Sequence, residues 1–225
     1  MRQIFSPYRL GVMAIKASQI VTVAAAANDY LAGIGRVVTP WHGLDVTDYG
    51  LGNFDTVGLV AYVLDNRRRE GYAHKRLVLA RNQICPNHYH WTKSETICCE
   101  DGQILITLGG QAVRHGAGWD ERCRLVDVEV NNVPVHHDHG QIEMGTVAIT
   151  LNAGDAIFLP HGTWHEFRAV GGFALAEEVS TFNDDDTDNV FSCPDILRFP
   201  PEIDQDVPGT TVGRDDLGFI IMTEV

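Results

Sequence analysis

The feature of this chain that most constrains its fold is a series of short apolar stretches that begins near Lys75. Glycine, asparagine and aspartate separate these stretches. Regular short strands with such turn residues between them are typical of a β-barrel or a jelly roll. The clearest predicted strands cover residues 76–84, 104–108, 125–130, 147–151, 156–159 and 173–179.

The residues before this series predict one helix and one strand. Apolar side chains recur at three- and four-residue spacing from Ile20 to Leu31, which predicts a helix over 14–35. Residues 57–64 are continuously apolar and predict a buried strand. We therefore expect three parts, namely an N-terminal helix-and-strand extension (1–74) packed on the barrel, the barrel itself (75–191) and an extended C-terminal arm (192–225).

Charge and cysteine content exclude several classes of partner. The net charge of −13 opposes binding to a phosphate backbone, which needs clustered lysine and arginine, so no nucleic-acid partner is expected. The alanine-rich run at 24–27 is too short to span a bilayer, and the N-terminus lacks the pattern of a signal peptide. Five cysteines without framework spacing favour reduced thiols. We expect a cytoplasmic protein with no membrane partner.

One stretch, residues 87–95, carries a pattern of metal ligands. His88 and His90 fall on the same face of a strand because side chains alternate, and Glu95 follows five residues later. Neutral imidazole and carboxylate are ligands for a borderline or hard divalent metal. A second stretch supplies a fourth candidate, because a short apolar strand runs into a Pro160-x-Gly162 turn that ends at His165.

Each of these histidines also has a structural interpretation. An isolated His-x-His is more often an ordinary pair of strand histidines, and His165 could be a turn residue that is satisfied by hydrogen bonds. Two patterns in the right order, joined by strand-like sequence, favour the metal site. Three further histidines at 136, 137 and 139 lie in a polar loop, where we expect them to be solvated rather than to bind a second metal.

The two patterns resemble the two motifs of the cupin superfamily. His-x-His, four residues, Glu, six residues, Gly is matched from His88 to Gly102, and Gly-x5-Pro-x-Gly-x2-His is matched from Gly154 to His165. Asn82 stands where the first motif usually opens with glycine, which is not a ligand position. The resemblance implies a mainly β fold, a cupin-type barrel or jelly roll with an N-terminal helical extension.

Further stretches are similar to the bacterial D-lyxose isomerase family, cupin enzymes that interconvert an aldose and a ketose. The similarity runs from about residue 14 to the end of the chain and is densest at 75–110 and 154–191. It implies a Mn²⁺ cofactor, although the ligand set also suits Co²⁺, Fe²⁺, Ni²⁺ or Zn²⁺. The stretches that carry it are residues 44–50, 87–95, 178–185 and 187–191.

The chemistry of such an isomerase needs a base that moves a proton between neighbouring carbons. Strand alternation places either Glu177 or Glu178 on the inner face, and a one-residue change of register exchanges them. The family resemblance favours Glu178, which aligns with a Glu-Val-Ser segment. It also implies an active-site role for Lys93, and we include Asp185 as a substrate-binding candidate.

Two other functions stay open from the sequence. A cupin dioxygenase would use iron at the same ligands, and a metal-containing sugar-binding protein would catalyse nothing. The acidic composition favours a small neutral sugar over a sugar phosphate as the ligand. Because an exposed sheet edge is best covered, we also predict a homodimer.

Overall fold

The computed structural model describes residues 14–36, 43–108, 147–185, 187–193, 196–198 and 202–224. This part of the chain contains one helix, α1 (Ala17–Gly33), and fifteen strands. The strands are β1 (Ile15–Lys16), β2 (Leu44–Thr47), β3 (Leu59–Arg67), β4 (Tyr72–Leu79), β5 (Ile84–His90), β6 (Glu95–Asp101), β7 (Gln103–Leu108), β8 (Val147–Asn152), β9 (Ala156–Leu159), β10 (His165–Ala169), β11 (Ala174–Thr181), β12 (Asn189–Phe191), β13 (Ile203–Asp204), β14 (Thr210–Arg214) and β15 (Ile220–Glu224).

Two antiparallel sheets pack face to face. One has the order β2-β3-β4-β11-β6-β9, and the other has the order β12-β5-β10-β7-β8. Alternate residues of both sheets point inward and form one core, for example Leu77 and Ile97 from the first sheet and Ile106 and Phe167 from the second. The predicted mainly β, cupin-type fold is confirmed, and in the described residues it is a sandwich of two open sheets rather than a closed barrel.

Helix α1 covers the outer face of the six-stranded sheet. Ile20, Ala24, Ala27 and Leu31 are buried, which is the three- and four-residue spacing expected of an amphipathic helix. They belong to one cluster with residues of β2, β3 and β4, including Tyr62. The predicted helix is confirmed, and it begins three residues later and ends two residues earlier than the predicted range of 14–35. Within the described residues no helix is long and apolar enough to cross a membrane.

The predicted strand at 76–84 is wrong in its extent, because it joins two strands across a turn. The amide of Gln83 donates to the carbonyl of Ala80 at 3.0 Å, which closes a turn between β4 and β5. Asn82 within it has a positive φ of 59°. Asparagine tolerates this left-handed conformation better than most residues, and glycine tolerates it best, which explains why asparagine can stand at a motif position that usually holds glycine.

The two ends of the chain contribute more regular structure than the sequence predicted. Strands β2 and β3 come from the predicted extension but pair within the six-stranded sheet. Strands β14 and β15 form a hairpin inside the predicted arm, and Val212 and Ile220 of this hairpin pack with the helix cluster. The predicted strand at 125–130 and the histidines at 136–139 lie outside the described residues.

Candidate metal centre and active site

Three histidines meet between the two sheets. Strand β5 supplies His88 and His90, and the neighbouring strand β10 places His165 directly opposite His88. One nitrogen from each of the three rings lies within 4.8 Å of the others, and all three side chains are buried. The sequence patterns at 88–90 and 165, which are far apart in the chain, are therefore brought to one point by strand pairing.

Backbone carbonyls orient two of these rings. His88 Nδ1 lies 2.7 Å from the carbonyl oxygen of Pro86, and His165 Nδ1 lies 2.9 Å from that of Thr163. A carbonyl can only accept, so each Nδ1 carries the proton and each Nε2 keeps a lone pair. Such carbonyl contacts are typical of metal-binding histidines, because they fix the tautomer and the direction of the free nitrogen.

Glu95 completes the cluster from the other sheet. Its Oε1 lies 3.0 Å from His165 Nε2 and 3.6 Å from His90 Nε2. Burial alone would raise the pKa of this carboxyl, but the charge of Lys93 holds it well below its usual range. Glu95 is therefore an anion with one oxygen directed at the histidines.

Within the part of the chain that the structure describes, three atoms at the centre of this cluster lack hydrogen-bond partners. His90 Nε2, His165 Nε2 and Glu95 Oε1 are all buried without a donor or acceptor among the described residues. Burying such groups unsatisfied is costly, and acceptor atoms that converge on one point repel each other. A divalent cation would satisfy all of them. The donor set of three imidazoles and one carboxylate fits a borderline or hard divalent metal.

The environment also keeps the histidines in the form that binds metal. Burial lowers the pKa of both His88 and His90 well below the ordinary value, and the positive charge of Lys93 lowers both further. The rings are therefore neutral at pH 7. Only the neutral imidazole offers a lone pair to a metal ion.

Lys93 connects the cluster to a second carboxylate. Its Nζ lies 2.7 Å from Glu95 Oε2 and 2.9 Å from Glu178 Oε1. Burial alone would lower the pKa of Lys93, but the negative charges of Glu178 and Glu95 outweigh burial, and the pKa lies above its ordinary value. Lys93 is therefore an ammonium group that can donate hydrogen bonds and cannot act as a base at neutral pH.

The register of β11 settles which of the two adjacent glutamates faces inward. Glu178 lies opposite Lys75 of β4 and Ile97 of β6, and its Oε1 also accepts from Ser180 Oγ at 3.3 Å. Glu177 faces outward, where it pairs with Arg76 at 2.6 Å and His74 at 2.5 Å. The structure places Glu178, and not Glu177, in the pocket beside Lys93.

Asp185 lines the other end of the same pocket. Its Oδ2 lies 3.1 Å from Arg198 and 3.4 Å from Lys75 Nζ. Burial alone would raise the pKa of Asp185, but Arg198 and Lys75 hold it well below its usual range. Arg198 also pairs with Asp45 at 2.6 Å. This end of the pocket is a chain of alternating charges that are buried or partly buried.

Three residues of this region were not singled out in the sequence as site residues. Lys75 stands in the polar run His74-Lys75-Arg76, where alternation does not say which side chain faces inward. Arg198 comes from the C-terminal segment and reaches the pocket only through tertiary packing. Asp188 was one aspartate in an acidic loop, but its carboxylate accepts hydrogen bonds from the turn that carries Lys93.

Comparisons with known proteins agree with this geometry. The family model described as D-lyxose isomerase matches residues 24–215. The chain belongs to this family. It is 34% identical over 178 residues to a D-lyxose/D-mannose isomerase of Escherichia coli O157:H7, which covers 76% of this chain and 74% of that protein. It is 30% identical over 163 residues to a D-lyxose ketol-isomerase of Thermofilum sp. (strain ex4484_79), covering 70% of this chain and 81% of the relative.

Solved structures share the fold of this D-lyxose isomerase family member. An L-ribose isomerase of Cellulomonas parahominis superposes with a TM-score of 0.60 at 16% identity and covers 81% of this chain and 95% of that one. An L-ribose isomerase of Geodermatophilus obscurus gives a TM-score of 0.55 at 17% identity, with 80% and 94% covered. At this level of identity the likeness concerns the fold alone.

Proposed function

We propose that this protein is a metal-dependent aldose–ketose isomerase that interconverts D-lyxose and D-xylulose, and also D-mannose and D-fructose. Membership of the D-lyxose isomerase family and the names of its relatives support this activity. The observation that carries the proposal is the Lys93 ammonium, which lies within 2.9 Å of both Glu95 of the candidate metal centre and Glu178. A metal-binding cluster and a candidate base thus share one buried pocket.

The proposed ligands are His88, His90, Glu95 and His165, and the proposed metal is Mn²⁺. Co²⁺, Fe²⁺, Ni²⁺ and Zn²⁺ suit the same donor atoms, and the family resemblance favours manganese. A divalent metal held there would act as a Lewis acid that polarises the carbonyl and hydroxyl oxygens of an open-chain sugar. The unpaired buried atoms of the cluster support a resident cation.

Glu178 is the proposed base. In the reaction, its carboxylate takes the proton from the hydroxyl-bearing carbon beside the carbonyl and returns it to the former carbonyl carbon, through an enediol. The hydroxyl proton of the first carbon passes to the former carbonyl oxygen, so that the product is a neutral ketose. The contacts with Lys93, Ser180 and Lys75 all involve Oε1 of Glu178. This arrangement fixes the direction of the carboxylate through Oε1, and Oε2 is the oxygen that we propose transfers the proton.

Lys93 is the proposed electrophilic partner of the sugar. Two of its three N–H bonds are directed at Glu95 and Glu178, which leaves one donor for a substrate oxygen. An ammonium that stays charged can stabilise the negative charge that develops on that oxygen as the proton leaves. Asp185 and Lys75 also line this pocket, and we propose that they contact the remaining sugar hydroxyls.

The first experiment is an assay of ketose formation. Purified protein is stripped of metal with a chelator and incubated with D-lyxose before and after Mn²⁺ is added. We expect no D-xylulose from the stripped protein and recovery of activity with Mn²⁺. If ketose is absent under both conditions while metal analysis shows one bound ion per chain, the isomerase proposal is wrong.

Two other outcomes of that assay would favour the alternative functions. Oxygen consumption that follows loss of an added substrate in the iron-loaded protein would indicate a dioxygenase. Tight binding of D-lyxose by calorimetry without any product would indicate a sugar-binding protein. Neither alternative explains why Glu178 and Lys93 are buried together beside the cluster.

We further propose that the protein is a cytoplasmic homodimer with no nucleic-acid or membrane partner. An outward apolar patch supports self-association, since Phe158 and Val179 lie on either side of Thr96 and about half of each residue is exposed (51% and 49%). Phe158 is on β9, which is an edge strand. Sedimentation at the mass of one chain would contradict the dimer.

A further inference from the structure

One buried carboxylate outside the proposed ligand set holds the turn between the metal ligands. Asp188 precedes strand β12, and only 4% of it is exposed. Its carboxylate faces residues 91–93, which connect His90 of β5 to Glu95 of β6. This position is unusual for an aspartate in an acidic loop, because such residues are ordinarily solvated.

The contacts of Asp188 with the turn are short and numerous. Its Oδ1 accepts hydrogen bonds from the amide and the hydroxyl of Thr92, both at 2.7 Å. Its Oδ2 accepts from the amide of Lys93 at 3.1 Å, and its backbone carbonyl accepts from the amide of Trp91 at 3.0 Å. One residue therefore fixes three consecutive amides, including that of Lys93.

The same carboxylate also faces the metal cluster. Asp188 Oδ2 lies 3.7 Å from His90 Nδ1, which is buried and has no hydrogen-bond partner among the described residues. His88 and His165 each have a backbone carbonyl at this ring position, whereas His90 has this carboxylate nearby. A small rotation of the ring would bring Nδ1–H within hydrogen-bonding distance of Oδ2.

We propose that Asp188 is a positioning residue that orients the His90 ring for the metal and places the Lys93 side chain. A carboxylate that accepts from the second nitrogen of a ligating histidine fixes its tautomer and raises its basicity. The turn contacts then tie the backbone of Lys93 to the same carboxylate. This inference rests on the metal-binding part of the proposed function and not on the identity of the sugar.

The test is the metal affinity of Asp188→Asn. The amide oxygen can replace Oδ1 as an acceptor for Thr92, but the amide nitrogen offers a donor toward His90 Nδ1–H and the Lys93 amide. We expect calorimetric titration of the metal-free variant with Mn²⁺ to give about 10- to 100-fold weaker binding than the natural chain. The melting temperature of the metal-free variant should fall, because the amide nitrogen faces the Lys93 N–H, so the titration is made at a temperature where the variant is folded.

Thr92→Val is the matched control. It removes the hydroxyl donor to Oδ1 and leaves the contact between Oδ2 and His90. We expect its Mn²⁺ affinity to stay within about threefold of the natural chain. If Asp188→Asn also stays within that limit, or if it lowers the melting temperature without changing metal affinity, Asp188 is only a structural residue and the proposal is wrong.

A second measurement covers the case in which Asp188→Asn does not fold. Asp188→Glu keeps the charge but moves it by one methylene, and it is expected to weaken Mn²⁺ binding by about tenfold or more and to alter the Co²⁺ absorption spectrum. An unchanged affinity and spectrum would overturn the proposal. Since no sugar is present in these titrations, weaker metal binding in a protein that makes no ketose would sustain this proposal while the isomerase proposal fails.

Discussion

The two ends of the pocket differ in whether their polar groups have hydrogen-bond or ion-pair partners among the described residues. At the metal end, His90, His165 and Glu95 direct atoms at one point where no hydrogen-bond partner stands among the described residues. At the far end, both oxygens of Asp45 are paired, one with Arg198 and one with Arg214. Both oxygens of Asp185 are also paired, one with Asn189 and the other with Lys75 and Arg198. The side chains of the metal end are almost fully buried, whereas Arg198 and Asp185 at the far end are partly exposed.

The difference distinguishes polar groups that require a metal ion from polar groups that also stabilise the fold. Buried polar groups that pair with each other need no ligand. Here they stabilise the contact between the sandwich and the C-terminal segment. Buried polar groups that leave each other unsatisfied are expensive, and their retention points to a ligand. The free energy of unfolding should therefore fall when a metal is removed from the metal end. It should also fall when a charged residue of the Arg198 end is replaced.

The largest expected effect lies between the two ends, at Glu178. Glu178→Gln keeps the size of the side chain and a hydrogen bond to Lys93 but removes the base, so kcat should fall about 10²- to 10⁴-fold. Metal content, measured by elemental analysis, should not change. Glu177→Gln is the control, since it lies on the same strand and faces outward. Full activity in Glu178→Gln would contradict its role.

The next largest effect tests the Arg198 end. Arg198→Ala removes a guanidinium that pairs with two buried carboxylates, and we expect a loss of about 3 kcal/mol in the free energy of unfolding. For a chain of this size the melting temperature should fall by roughly 6–12 °C. Arg67→Ala, which breaks an exposed pair with Asp65, should change the melting temperature much less. Equal losses in the two variants would refute the distinction.

Chelation tests the metal end by the same measurement. Removing a metal that was present at one hundred times its dissociation constant should lower stability by about 2.7 kcal/mol, or roughly 5–10 °C in melting temperature. His165→Asn should abolish that difference between stripped and loaded protein, because it removes a ligand. A chelator-induced shift of the same size in His165→Asn would mean that the metal binds elsewhere.

The smallest expected effect is a change in how the free energy of unfolding depends on pH. The pKa of Asp185 is lower in the folded protein than in the unfolded chain, so the folded state binds fewer protons. Its contribution to stability is full above about pH 4 and is lost as the pH falls through the folded value. Urea unfolding of metal-free protein should therefore show a shallower decline below pH 4 for Asp185→Asn than for the natural chain. Parallel curves would exclude this contribution.

The sequence predicted those parts of the site that local patterns encode. His88 and His90 share a face because strands alternate, and His165 follows a Pro-x-Gly turn. These positions need only local geometry, and the structure brings them together. Whether they and Glu95 bind a metal stays a prediction that the titrations above would test.

What the sequence could not predict depends on register and on distant contacts. The choice between Glu177 and Glu178 rested on family resemblance, because either fits strand alternation until the pairing with β4 is known. Asp188 differs from its acidic neighbours only through its contacts with a turn about 95 residues earlier. The strand prediction at 76–84 failed because an asparagine in a left-handed turn leaves no glycine or proline signal.

The pairing of Arg198 with Asp45 has a consequence for how the protein is made. The two residues are 153 positions apart, so the ribosome synthesises the aspartate long before its partner. All four candidate metal ligands emerge in between. A nascent chain that has been synthesised as far as β10 therefore contains all four candidate metal ligands. It does not yet contain Arg198, which completes the other end of the pocket. Fragments that stop before Arg198 would keep the ligands but expose an acidic, unneutralised surface to aggregation and proteolysis.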